Sequence, residues 1–265
     1  MALRLDGKKE AEKILRQLKQ RVAKHRSPIT LATILVGERY DSALYVKLKR
    51  QAAARVGIQT EYHHLPTSTT QAKLHELIER LNKRSKIHGI LLQLPLPKHL
   101  NADAAIAVMD VQKDVDGFQA KNDKVIPPPV GAVLSLLKLG RPKQKSFAVI
   151  LAQQSVFTSR LALELERLQH SVAVVEPHNN MKLVTTKADI IVTAIGNGPQ
   201  LKPIDIKRGS VIVDVGIRKQ GQKTVGDAHP ACWNKATAIS PVPGGVGPLT
   251  IAWVLNNTYQ LAQRS

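Results

Sequence analysis

Three observations predict an α/β fold in two domains. Apolar, β-branched runs alternate with amphipathic helical stretches, the connections between them are short, and the alternation breaks at Pro127-Pro128-Pro129 before starting again. Parallel βαβ units follow from the first two, and a domain boundary from the third, because proline cannot continue a strand ladder and fixes the chain direction.

In chain order, Ala11, Leu15, Leu18 and Val22 recur at helical spacing between Lys and Arg and predict an amphipathic helix over 8–25, ended by Pro28. Residues 29–36 form a near-continuous apolar run, the pattern of a strand covered on both faces. After the turn Gly37-Glu38-Arg39, residues 42–57 read as a helix with Ala43, Val46, Arg50 and Ala54 along one side, stopped by Gly57. A strand over 59–65, a helix over 70–84 carrying Leu74, Leu77, Ile78 and Leu81, a strand over 88–93 and a short helix over 101–109 complete the first half. The second half predicts a helix over 130–139, a strand over 146–151, a helix over 156–169, and strands over 171–176, 189–195 and 210–215, the order of a dinucleotide-binding unit. A last helix, 250–263, presents Ile251, Val254, Leu255 and Leu261, and is expected to return to the first domain. The expected domains are therefore 1–127 with 242–265, and 128–241.

With 265 residues and 43% apolar side chains the chain can bury a substantial core, and with 3% aromatics that core must be aliphatic, which suits helices on sheets. A net charge of +19 draws polyanions. The basic residues are spread along the chain, densest in 8–26, 47–55 and 80–86, without aromatic interleaving or a nucleic-acid-reading motif, so nucleic acid is not expected as the primary partner. Cys232 is the only cysteine, which excludes an internal disulfide and suits a reducing, cytoplasmic setting. Nothing reads as a signal sequence or a membrane span. His63, His64, His88, His99, His170, His178 and His229 lack metal-ligand spacing with carboxylates, so no metal is expected.

Four stretches hold candidate chemistry. Tyr45 and Lys49 lie four apart on one helix and stack on one face, so a phenol and an ammonium can share one space as an acid–base pair, although such pairs also occur on ordinary exposed helices. The strand end Gln93-Leu94-Pro95-Leu96-Pro97 and the polar loop Lys113-Asp114-Val115-Asp116-Gly117-Phe118 leave a sheet. Asp114 and Asp116 alternate along that loop, so only one of them can face a shared space, and a capping or solvated role suits Asp114 better. Pro241-Val242-Pro243-Gly244-Gly245-Val246-Gly247-Pro248 can bring backbone amides close to a ligand, or can be a simple crossing between domains. A nucleotide site requires a turn after the strand at 146–151. That turn reads Ala152-Gln153-Gln154-Ser155, small and polar but without glycine, and Glu176 follows 24 residues after Ala152, near where an acid grips a ribose diol or simply ends a strand.

Taken together and in this order, the Tyr-x-x-x-Lys helix, Gln-Leu-Pro-Leu-Pro, Lys-Asp-Val-Asp-Gly-Phe, Asp214-Val215-Gly216-Ile217, Val225-Gly226-Asp227 and the glycine–proline loop ending in Leu249-Thr250 resemble the methylenetetrahydrofolate dehydrogenase/cyclohydrolase family, the bifunctional FolD proteins, over almost the whole chain. The resemblance implies an N-terminal folate domain, a Rossmann-like dinucleotide domain and an active-site cleft between them. It implies Lys49 as catalytic lysine, Tyr45 stacking on the folate, Gln93 assisting Lys49 and Asp116 holding the pterin, with Leu94, Pro95, Pro243, Gly244 and Gly245 also binding substrate. Ala152, Gln153, Gln154, Ser155, Glu176, Gly196 and Ile217 would line the cofactor site. The implied cofactor is NADP, or NAD; the substrate is a tetrahydrofolate derivative; the assembly is a homodimer. The implied reactions are oxidation of 5,10-methylenetetrahydrofolate and hydrolysis of the methenyl product to 10-formyltetrahydrofolate.

The sequence departs from the family at two places. The family's Gly-Arg-Ser-x-x-Val-Gly-x-Pro turn has Ala152, Gln153, Gln154, Thr158 and Arg160 at its Gly, Arg, Ser, Gly and Pro positions, and its Pro-Cys-Thr-Pro-x-Gly keeps only Pro129 and Gly131. The first change is expected to weaken a phosphorylated dinucleotide. A cyclohydrolase with weak or absent dehydrogenase activity and a basic, non-catalytic folate or polyanion binder are the alternative readings. A short-chain dehydrogenase also uses Tyr-x-x-x-Lys, but after an N-terminal glycine-rich turn, which Val36-Gly37-Glu38-Arg39 is not.

Overall fold

The computed structural model describes residues 2–119, 122, 124–177 and 181–264. The chain forms two compact units, 12–128 with 251–265, and 1–11 with 129–250.

The first unit is a three-stranded parallel sheet, β2 (Thr30–Val36) at the centre between β3 (Gln59–Leu65) and β4 (Gly89–Leu92). Six of the seven β2 residues are buried, as their unbroken apolar character predicts. The helices α2 (Tyr40–Val56), α3 (Gln71–Asn82) and α4 (Ala102–Val108) alternate with these strands. The predicted α3 stripe Leu74, Leu77, Ile78 and Leu81 is buried and joins Ala32, Ile34, Ile90 and Leu92 in one core. Thr70 and Asn101 start α3 and α4 by accepting from the amides of Lys73 and Ala104, and Gly57, at φ 86°, closes α2.

The second unit is a six-stranded sheet in the order β1 (Leu3–Arg4), β11 (Ala238–Ile239), β8 (Val211–Asp214), β7 (Ile190–Thr193), β5 (Phe147–Leu151), β6 (Ser171–Val175), with every neighbouring pair parallel. A separate hairpin pairs β9 (Arg218–Gln220) with β10 (Lys223–Val225). The helices α5 (Pro128–Gly140), α6 (Val156–Arg167) and the short α7 (Lys182–Thr185) accompany the sheet. Val149, Leu151, Ile191, Ile212 and Ile239 pack one core face. Helices α1 (Gly7–Val22) and α8 (Val246–Ala262) each begin in this unit and end in the first.

Several sequence expectations change. Residues 1–11 and 242–250 belong to the second unit, because β1 pairs with β11 and the Lys8 amide donates to the Gly244 carbonyl at 3.0 Å. Strands of two or three residues are too short to show a period, so β1, β9, β10 and β11 went unpredicted. Helix α5 starts at Pro128 and α8 at Val246, both earlier than expected, because proline in a first helical turn gives up an amide that has no helical partner there. Helix α1 stops at Val22, and the amides of Lys24 and His25 close a tighter turn onto Arg21 and Val22 before Pro28 is reached.

Polar groups also hold α8 in place. Asn257 is fully buried, and its Nδ2 donates to the carbonyls of Val115 at 2.9 Å and Ile126 at 2.8 Å, tying both ends of the 115–126 stretch to the helix. Asn257→Ala strips the donor from two carbonyls, and urea titration is expected to show a stability loss of about 2–3 kcal/mol.

Candidate active site

The buried stripe of α2 is Ser42, Val46, Lys49, Ala52, Ala53 and Val56. It lies one residue round from the predicted Ala43–Val46–Arg50–Ala54 line, and of those four only Val46 is buried. Lys49 therefore sits on the packed face, 8% exposed, with its Nζ donating to Gln93 Oε1 at 3.0 Å. Tyr45, one turn earlier, is half-buried. Gln93 leaves the end of β4 with its amide on the Ile34 carbonyl, and its Nε2 donates to Leu94 O at 2.8 Å. Its two ends are thus distinguished, and the acceptor oxygen is the one that meets the lysine.

The loop after α4 brings Asp116 into electrostatic range of Lys49. Burial pushes the Asp116 carboxyl up to about 7; the Lys49 charge opposes that rise and Asp114 adds to it. Lys49 in turn is lowered by burial, partly offset by Asp116. The residue as a whole keeps some exposure while its carboxyl is densely surrounded, and it is this surrounding that decides its titration. Lys49 and Asp116 form an electrostatic pair in which each makes the other's charge more tolerable against the burial that opposes it.

Asp114 supports the loop from within. Its carboxylate accepts from the amides of Asp116, Gly117 and Gln119 at 3.0–3.2 Å and from Asn122 Nδ2 at 3.3 Å, the capping role expected of it. Lys113 donates from Nζ to the carbonyls of Leu81, Asn82 and Arg84, closing the end of α3. Sequence reasoning gave Lys113 and Asn257 no role; the one signal for Lys113 was its place directly before the acidic pair.

In the second unit the turns after β5, β6, β7 and β8 emerge side by side at the carboxyl ends of parallel strands. They carry the whole predicted cofactor set: Ala152, Gln153, Gln154 and Ser155 after β5, Glu176 after β6, Gly196 after β7 and Ile217 after β8. The strand order reverses at β5, where doubly wound sheets bind their ligands. Ser155 caps α6 reciprocally with Thr158, at 2.9 Å and 3.3 Å, and its extended backbone (φ −165°) turns the chain without glycine. Gly196, at φ 77°, has nothing within 4 Å of where a side chain would stand, and Ile217 is 55% exposed. An anion-accepting helix start, an open glycine and a bare apolar side chain at one switch point fit a dinucleotide.

Two buried carboxylates clamp these turns. Asp214 accepts from the amides of Gly216, Asp227 and Ala228, and Asp227 accepts from Thr193 Oγ1 at 2.9 Å and the amides of Ile195 and Gly196 at 2.6 and 2.9 Å. Burial pushes the Asp214 carboxyl up to about 6 against the amides that lower it. A side chain at Gly216 would collide with the Asp227 carboxylate, and one at Gly226 with that of Asp214, which explains both glycines. These aspartates were visible as motif residues but had no role assigned; the adjoining glycines were the available signal.

Pro243, Gly244 and Gly245 lie in the loop before α8. A side chain on Gly7 would overlap the Gly245 carbonyl, and one on Gly245 would crowd Pro241 and Ser240, so tight packing accounts for part of this loop's glycine content. Leu94 and Pro95 follow Gln93, both half-buried or exposed. Among the described residues no group of three or more His, Cys, Asp or Glu is placed to hold a metal ion; His178 lies outside them.

Family models match over nearly the full length: the tetrahydrofolate dehydrogenase/cyclohydrolase catalytic domain over residues 5–116 and the NAD(P)-binding domain of the same family over 127–265. The chain belongs to the tetrahydrofolate dehydrogenase/cyclohydrolase family. It is 38% identical to the bifunctional protein FolD of Moorella thermoacetica, with 98% of each chain covered, and 39% identical to that of Methanococcoides burtonii, covering 98% of this chain and 96% of the relative. Among solved structures it is similar to the Campylobacter jejuni FolD, a methylenetetrahydrofolate dehydrogenase/cyclohydrolase, at a TM-score of 0.94 and 35% identity, covering 100% and 99% of the two chains. The Trypanosoma brucei FolD, solved with NADP cofactor and inhibitor, matches at 0.92 and 30%, covering 99% and 98%. The two-domain α/β architecture, with an N-terminal catalytic domain and a C-terminal NAD(P)-binding domain, is thus that of the family.

The clamp makes opposite demands of two glycines in the family's second domain. Gly226→Ala forces a methyl into the Asp214 carboxylate and is expected to cost about 3 kcal/mol, whereas Gly196→Ala meets open space and is expected to cost only about 1 kcal/mol for its left-handed backbone. Denaturant titration of the two variants side by side measures the difference.

Proposed function

We propose that the protein oxidises 5,10-methylenetetrahydrofolate with a nicotinamide dinucleotide and hydrolyses the resulting methenyl cation to 10-formyltetrahydrofolate. The observation that carries this reading is a lysine buried on a packed helix face, donating to an oriented glutamine and coupled to a carboxyl raised to about 7. Hydrolysis of a cation needs a base that is not permanently protonated. A desolvated lysine meets that need. Water adds to the bridging carbon and gives one proton to uncharged Lys49; the remaining hydroxyl then gives up its proton as the carbonyl forms, the bond from that carbon to N5 breaks with N5 taking up a proton, and the formyl group stays on N10. Gln93 holds the amine in line, Tyr45 packs on the folate, and Asp116 binds the pterin and sets the charge on Lys49. Leu94 and Pro95 add to the substrate contacts, on the support of the family motifs, which give the Pro243–Gly244–Gly245 loop a substrate-binding role as well.

A bound dinucleotide supplies the hydride acceptor. The chain's part is to hold it, through the α6 start, Glu176, Gly196 and Ile217. Folate chemistry is assigned to the unit 12–128 with 251–265, and dinucleotide binding to 1–11 with 129–250. No helix among the described residues is long and apolar enough to cross a membrane. A cytoplasmic location is supported by the single cysteine, and a homodimer by the family resemblance.

Lys49→Ala is expected to lower cyclohydrolase kcat about 100-fold or more, followed as loss of methenyltetrahydrofolate absorbance; a change within a few-fold removes Lys49 from catalysis. Asp116 raises the lysine's affinity for its proton, so Asp116→Asn is expected to move the rising limb of the kcat/KM pH profile to lower pH. An unmoved or upward-shifted limb contradicts the pairing.

A further inference from the structure

We propose that the dinucleotide site selects the cofactor without a 2′-phosphate, NAD over NADP, and that Glu176 makes the selection. The inference rests on the reading of the second unit as dinucleotide-binding and goes beyond it by naming the ligand. Register is the decisive observation. Strands β5 and β6 run parallel with Leu151 opposite Val175, and the ladder ends where the Ala152 amide donates to the Val175 carbonyl at 3.0 Å. Glu176 is thus the first residue beyond the ladder, one strand spacing, about 4.8 Å, from the phosphate turn, and it is exposed.

A carboxylate at the end of the second strand of such a unit accepts both hydroxyls of the adenosine ribose. The same carboxylate repels a phosphate esterified at the 2′ position. Ala152 to Thr158 on one side and Val175, Glu176 and Pro177 on the other bear no Lys or Arg, and the one cation of the turn motif, Arg160, stands in the second turn of α6 rather than at the strand ends beside Glu176. The reciprocal cap between Ser155 and Thr158 occupies the amides of both residues, which leaves the start of α6 the amides of Val156 and Phe157 to offer a diphosphate.

The test is a calorimetric titration of the purified full chain with NAD+ and with NADP+ at fixed ionic strength, with cyclohydrolase turnover measured on the same sample. NAD+ is expected to bind at least 10-fold more tightly than NADP+. Glu176→Gln is expected to cut that ratio about 10-fold, chiefly by weakening NAD+, and Glu176→Arg to reverse it. Equal or tighter NADP+ binding by the parent, or an unchanged ratio in Glu176→Gln, overturns the inference. Absence of binding by either dinucleotide in a sample that still hydrolyses methenyltetrahydrofolate overturns it too, while leaving the folate half of the proposed function standing. A sample that binds NAD+ selectively but hydrolyses nothing supports the inference and removes the cyclohydrolase reading instead.

Discussion

A lysine removed from water is the constraint around which the first unit is arranged. Burying an ammonium is costly unless it is paired and hydrogen-bonded, so Lys49 can occupy the packed stripe of α2 only because the end of β4 delivers Gln93 and the loop after α4 delivers Asp116. Each of those partners is itself held by the backbone. Gln93 is hydrogen-bonded to Ile34 and Leu94, and the Asp116 loop is stitched by Asp114, Lys113 and Asn257. The site is therefore pre-organised by ordinary strand-end and helix-end chemistry.

The second unit solves a related problem with the same device. Loops leaving the carboxyl ends of parallel strands expose amides that the sheet cannot pair, and Asp214 and Asp227 collect them. Asp114 does likewise in the first unit. In all three cases a short acidic side chain accepts several amides, and glycines stand beside it because there is no room for a Cβ or because the turn needs a positive φ, as at Gly117 (62°).

Legibility followed period and length. The α3 stripe, the β2 run and the strand–helix alternation repeat over enough residues to be read directly, and all form as expected. The buried face of α2 lies one residue round from the line its apolar residues mark, because it includes Lys49, a residue type that is ordinarily exposed. Prolines misled at both helix starts: a breaker in mid-element is a permitted residue in a first turn.

The sequence by itself determined the two-unit α/β plan, the family and the residue types at the site, since these depend on local periodicity and on motifs that survive without coordinates. Tertiary structure alone decided that Lys49 is buried and meets Gln93, and that Leu3–Arg4 pair into the second sheet. Those outcomes turn on desolvation and on strand pairing between residues dozens to more than two hundred positions apart, quantities that no local pattern encodes.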